Sequence, residues 1–324
     1  MDILDLVNAL PGAVAQGLIW GIMAIGVYIT YKVLDVADLT VDGSMCTGGA
    51  VCAVLMVSGH SVWFSIVCAV LVGALTGLMT GIFHVSMGIP AILAGILSQL
   101  ALYSINLKII GAANQSLPSN KYDVLVAIKY TKNVPFYQNT IFIVAIFTIV
   151  IIAVLYWFFG TALGCSLRAT GSNKNMSRAQ GINTKINTVI GLMISNALVA
   201  LSSALYTQYQ GFTDINMGRG AIVIGLAAVI IGGVVFEKIF KNFALKLLAV
   251  SLGAIIYYIV LQVVIWLGFD TDLLKLLSAL VVAVFLALPY MKKVYLPVLT
   301  SFKRRMEVRK KNKAVLAARK GGTK

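Results

Sequence analysis

The feature that most constrains this chain is where its charges are missing. No Asp, Glu, Lys or Arg occurs within 43–107, 133–167, 186–213 or 247–269. Crossing the hydrocarbon of a bilayer takes ~20 apolar residues in helical form. Lipid accepts only helices or closed barrels, because every backbone N–H and C=O must be paired inside the protein. The uncharged runs are rich in Leu, Ile, Val and Ala and alternate only weakly with period two, which selects helices. Across the 324 residues, 60% are hydrophobic and 11% charged, against about 25% charged in a soluble domain. A water-facing surface cannot be built from this composition. The expected fold is all-α, a polytopic transmembrane helical bundle.

Nine crossings are expected, at 10–31, 39–57, 62–85, 88–107, 138–160, 187–208, 218–235, 247–267 and 273–291. The seventh is short and Gly-rich and reads as a full span or as a re-entrant or broken element, which allows eight to ten in all. Basic loops face the cytoplasm. Segment 161–186 has four bases and no acid, 236–246 has three lysines against Glu237, and the tail 292–324 has twelve bases against Glu307. Alternating nine crossings puts all three on one side, giving N-out, C-in; loop 108–137, with four lysines against Asp123, runs against the rule. The domains are therefore a transmembrane domain, 1–291, with a cytoplasmic segment at about 163–186, and a basic cytoplasmic tail, 292–324. Such a tail reads as a topology signal resting on anionic membrane lipid, with no nucleic-acid partner. The N-terminus has two acids and no base before its first apolar run, so that run reads as a retained span and not as a cleaved leader.

Polar residues inside spans are the functional hints in such a chain. Thr40, Ser44 and Thr47 share a face of the second span, with Asp38 and Asp42 at its entry. Ser195, Asn196 and Ser202 form a stripe on the sixth with Thr188, Ser203 and Thr207, while Gln99, Tyr103 and Ser104 make a polar face on the fourth. These stripes either line a hydrated solute path or fasten helices together. Gly73, Gly77 and Gly81 form a doubled GxxxG, read as close helix packing. His60 and His84 stand alone near span ends. Cys46, Cys52, Cys68 and Cys165 read as small buried hydrophobes without metal or disulfide spacing. There is no phosphate-loop motif, no HExxH and no nucleophile elbow, so nucleotide chemistry and catalysis are expected elsewhere.

The stretch 163–192, LGCSLRATGSNKNMSRAQGINTKINTVIGL, is too polar to span. Gly171, Ser172 and Asn173 offer turn and N-cap chemistry, 174–180 can make a short helix, and Gly181 can end it. Met176 and Ala179 then lie one turn apart as a knob for a partner's groove, although an ordinary loop is an equal reading of the residues alone.

The segment resembles the branched-chain amino acid/ribose permease family of ABC importers, whose cytoplasmic pattern is R-A-x-G-x-N-x-x-x-A-x-x-x-G-I-N. Here it reads Arg168-Ala169-Thr170-Gly171-Ser172-Asn173, then Ser177 or Ala179 near the alanine, then Gly181-Ile182-Asn183. Asp38-Leu39-Thr40-Val41-Asp42-Gly43-Ser44 is similar to the family's DLSVGS-like entry with Asp42 extra, and GLAAVIIGG at 225–233 also matches. The likeness covers most of 10–291 and looks closest to tryptophan/tyrosine-type permeases.

The resemblance implies an inner (plasma) membrane permease subunit of an ABC importer, forming the translocation path for a small polar solute, an amino acid or related metabolite such as an aromatic one. It implies a dimer, homodimer in preference to heterodimer, an ATP-binding cassette subunit and an extracytoplasmic solute-binding protein. Arg168, Gly171, Asn173, Met176, Ala179, Gly181 and Ile182 would form the coupling site, with no cofactor on this chain and ATP used by the partner subunit. Path residues would be Thr40, Ser44, Thr47, Gln99, Ser195, Asn196 and Ser202. The alternative is a secondary, ion-coupled transporter. Against it stand the lack of a convincing internal repeat and of an acid or base at the centre of a span.

Overall fold

The uncharged runs become helices whose ends are set by short polar caps. The computed structural model describes residues 3–131, 138–236, 239–268, 273, 276–285 and 287. Helix α1 (Ile3–Tyr28) continues into a π-helical turn, Ile29–Leu34, which stops at Asp35 with φ at 56°. Helices α2 (Val41–Val57), α3 (Val62–Val85) and α4 (Ala91–Ile110) follow. The Ser61 side chain caps α3, accepting from the Phe64 N–H. Then come β1 (Asn114–Ser116), α5 (Thr140–Gly160), α6 (Ala162–Ser172), α7 (Lys174–Ala179) and α8 (Thr184–Gln210). Strand β2 (Phe212–Asp214), α9 (Ala221–Phe236) and α10 (Phe243–Trp266) complete them. The two short strands pair antiparallel, Gln115 opposite Thr213. These elements belong to one unit, Met1–Leu277, while a short apolar helix, Leu276–Phe285, leads into a second, Ser278–Lys324.

Of the nine expected crossings, six have helices long and apolar enough for a full span: α1 with its π turn, α3, α4, α5, α8 and α10. Helices α2 and α9 have 17 and 16 residues, about 24–26 Å at 1.5 Å per residue, short of the ~30 Å hydrocarbon core. Their N-termini meet partway along the bundle, which explains the shortfall. The Asp42 carboxylate, in the first turn of α2, accepts the N–H groups of Gly220 and Ile222 where α9 begins, both at 3.0 Å. Gly43 abuts Gln99, which lies near the middle of α4. Orphan N–H groups of a helix that starts inside the bundle need an acceptor there, and the carboxylate supplies it. The seventh element is thus one unbroken helix with a buried start. The ninth crossing, 273–291, lies partly outside the described residues, and the basic tail 292–324 wholly so.

At the centre stands α8, with α1, α2 and α3 packed around it. Contact with α3 is close because α3 presents glycines there. A Cβ at Gly77 would meet the Leu192 carbonyl, and one at Gly73 would lie 2.6 Å from the Asn196 backbone oxygen. The GxxxG expectation holds, since helices in lipid gain association from close van der Waals approach. Cys46 and Cys52 are buried, but Cys165 is exposed, because its face of α6 is not covered.

Candidate functional site

The family-like motif is a set of caps and close approaches. Asn173 caps α7, its side-chain oxygen accepting the Met176 N–H at 3.0 Å. The opposite end stops at Gly181, where φ of 80° suits glycine's freedom from a Cβ clash. Asn183 caps α8 in turn, accepting from Lys185 and Ile186, both at 3.2 Å. Gly171 lies so close to the backbone of Val33 and Leu34 that a Cβ would strike the Val33 carbonyl. Ser177, in the alanine position of the pattern, is the inward residue of α7 and donates to the Asn173 carbonyl. Met176 (60% exposed) and Ala179 project outward, and Ile182 is half-buried.

This handle is tied to α8 by side chains. Arg178 Nε donates to Thr184 Oγ1 at 3.0 Å, and Asn187 Nδ2 donates to Ser166 Oγ and Thr170 Oγ1 at 2.9 and 3.0 Å. Arg168 takes a different position from the rest of the expected coupling set: its guanidinium carbon lies 5.7 Å from the Phe243 ring centroid, on α10.

Further along α8 its polar stripe enters a buried network. Asn196 Nδ2 donates to Asp38 Oδ2 at 2.7 Å, and its oxygen accepts from Ser44 Oγ at 2.6 Å. Asp38 (3% exposed) also accepts the Thr40 N–H at 2.9 Å. Hydroxyls of Ser44 and Thr76 pair at 2.7 Å, as do Thr40 and Thr80 at 2.6 Å, and Thr80 donates to Ser98 at 2.7 Å. Ser195 and Ser202 donate to the carbonyls of Gly26 and Ile19 on α1, Ser203 to that of Met45, and Thr47 to that of Gly43. All these side chains are buried; those on α8 bond it to α1, to α2 and to Asp38, while the hydroxyl pairs join the start of α2 to α3 and α3 to α4. The sequence reading finds no ionisable group at span centres; the structure corrects this for Asp38 and Asp42. Asp38 sits in the non-helical segment before α2, which runs alongside the middle of α8, and linear position alone does not show that.

Of the seven expected path residues, Gln99 borders an open cavity. Its volume is about 340 Å³, between α2, α4 and the α8–α9 connection, and Tyr103, Asn106, Asp42, Cys46 and Arg219 also line it. Ser104 is exposed but lies off this wall, whereas Asn106 continues it. Positions 99, 103 and 106 follow i, i+4, i+7, the one sequence signal that finds Asn106. Asn106 is 1% exposed, its Nδ2 reaching the Gly43 carbonyl at 3.5 Å and its Oδ1 having no partner among the described residues. Arg219 is exposed at the level of the middle of α4. A guanidinium at that depth belongs against water or protein and not lipid.

Residues 10–287 match the family described as the branched-chain amino acid transport system permease component. A tyrosine transport system permease protein of Clostridioides difficile is 38% identical over 86% of this chain and 91% of its own length. An uncharacterized protein of Rickettsia prowazekii is 34% identical over 86% of this chain and 97% of its own. A fructose import permease protein of Bifidobacterium longum is 26% identical over 76% and 68%. No solved structure matches. With its multi-pass apolar helices, this chain belongs to the branched-chain amino acid transport permease family of ABC importers and resides in the inner membrane.

Proposed function

We propose that the chain is the path-forming subunit of an importer driven by a separate ATP-binding cassette subunit, with a second permease copy and an extracytoplasmic solute-binding protein. It lies N-out and C-in, so that 161–186 faces the cytoplasm. The observation that carries this reading is α7: an exposed six-residue helix, pinned at both ends by Asn173 and Gly181 and bonded to α8. A partner's groove that takes Met176 and Ala179 gains a lever on α8, whose other half carries Asn196 and the Asp38–Ser44 network. Closure of two ATP-bound subunits would shift α8 and α2 between two discrete arrangements. The chain itself makes and breaks no covalent bond.

The solute path runs along the wall of Gln99, Tyr103, Asn106 and Arg219, and the buried hydroxyls behind it set the position of α2. An amino acid is the proposed solute. The apolar sides of Ile96, Leu100 and Tyr103 favour an aromatic one, and the tyrosine permease likeness supports it.

Deleting 174–180 is expected to abolish ATP-driven uptake in vesicles holding all subunits, while the isolated chain still folds and unfolds cooperatively, at a melting temperature lowered only by the loss of the Arg178–Thr184 and Ser177 bonds. Uptake that survives the deletion, or uptake by this chain alone on an ion gradient, would sink the assignment. Arg219→Gln with Gln99→Ala is expected to slow uptake by roughly thirtyfold, since each loses a hydrogen bond of ~1 kcal/mol to solute or path water and the two add to ~2 kcal/mol. Assembly with the ATP-binding subunit, measured by co-purification, should be unaffected.

A further inference from the structure

A second cavity, about 410 Å³, opens where α5 ends, α6 begins and α10 starts. Tyr156, Trp157, Phe159, Gly160, Thr161, Arg168 and Phe243 line it. It lies at the ends of two full-length apolar helices, and therefore at a membrane–water boundary. Trp157 is 71% and Tyr156 57% exposed there, in the position where amphipathic rings settle at headgroup level. Among the described lining residues Arg168 is the one charged side chain, its guanidinium parked over the Phe243 ring. None of the lining residues is acidic, and 161–186 contains no acid at all. Below the cavity, Ile146, Ile149, Val150, Val154 and Trp157 form a continuous exposed apolar strip along α5.

We propose that this cavity holds the phosphate headgroup of an anionic phospholipid on Arg168, with its acyl chains lying along the α5 strip. Charge and shape both point to this occupant. A guanidinium presents a planar fork of donors that fits phosphate oxygens, and among the described lining residues there is no carboxylate to pair a zwitterionic headgroup's ammonium. Arg168 already rests on an aromatic face, so its side chain is held near the position a phosphate requires and loses less freedom on binding. The strip accounts for the rest of the molecule, since it continues the cavity in the direction the acyl chains must take. The lipid would bridge α5, α6 and α10 at the root of the segment that carries α7.

The test uses the purified full chain, delipidated in detergent and titrated with phosphatidylglycerol or phosphatidylcholine, with bound lipid counted by native mass spectrometry. Phosphatidylglycerol is expected to bind about fivefold more tightly, the preference one basic residue supplies near a membrane surface. Arg168→Gln should erase that preference and Arg168→Lys retain part of it. Trp157→Ala, on an exposed side chain that leaves the fold intact, should weaken both lipids alike. Inorganic phosphate at millimolar concentration should not displace the lipid; displacement would identify a free-anion site and overturn the proposal. Equal binding of the two lipids, or an undiminished preference in Arg168→Gln with a wild-type melting curve, would overturn it too. So would an Arg168→Gln chain that keeps its lipid but no longer co-purifies with the ATP-binding subunit, because Arg168 would then belong to the protein seat.

Discussion

Replacing Gly171 with alanine is expected to lower stability by ~3 kcal/mol, the upper range for overpacking a close contact, and valine in its place should leave little folded protein. The added Cβ would fall on the Val33 carbonyl, 2.7 Å from the Val33 carbonyl carbon and 2.9 Å from the Leu34 Cα. These are backbone atoms, so no rotamer change relieves the clash, and α6 must move off the π turn. Because α6 leads directly into α7, the same displacement would move the handle. The measurement is thermal unfolding of detergent-purified variants beside Gly233→Ala. Gly233 lies within α9, and a Cβ there would meet none of the described residues outside the helix's own backbone within 4 Å, so alanine should be neutral or stabilising by up to about 1 kcal/mol through helix propensity. Equal melting temperatures for the two variants would refute the close approach.

Asn196→Ala is expected to be nearly as damaging, at about 2–4 kcal/mol, because it strips partners from a buried carboxylate and a buried hydroxyl together. Asp38 would retain the Thr40 N–H and Ser44 would retain Thr76, so the start of α2 loosens without unfolding the bundle. A fall in melting temperature on the order of 10 °C should follow, with ATP-driven uptake reduced further than stability alone explains, since α8 would no longer drag α2. Asp38→Asn keeps an acceptor for Asn196 and should cost less. A double variant, Asp38→Asn with Asn196→Ala, that loses as much as the sum of the singles would show that the two residues do not act as a pair.

Much of the handle is legible in the sequence. Asn173, Gly181 and Asn183 act through backbone within three residues of themselves, so capping chemistry predicts their roles from local order alone. Gly171 is different: its need for glycine comes from Val33 and Leu34, far away in the chain, and the family pattern records it without explaining it. The polar stripes are half legible. Helical spacing correctly puts Thr40, Ser44 and Thr47 on one side of α2, but the neighbour on that side is α3 or α8 and not a cavity. Gln99 and Asn106 differ from them only in what packs opposite.

By itself the sequence determined that this chain lives in lipid, where its six long apolar helices run, and how the short helix between α6 and α8 begins and ends. Those follow from hydropathy, period and caps, which are properties of neighbouring residues. The tertiary structure alone decided that α2 and α9 start inside the bundle, that Asp38 and Asp42 lie at depth with neutral partners, and that Arg219 joins Gln99 on one wall. Each of those depends on contacts between distant segments, such as the 152 residues separating Ser44 from Asn196, and no local pattern encodes which helix will fill the space beside another.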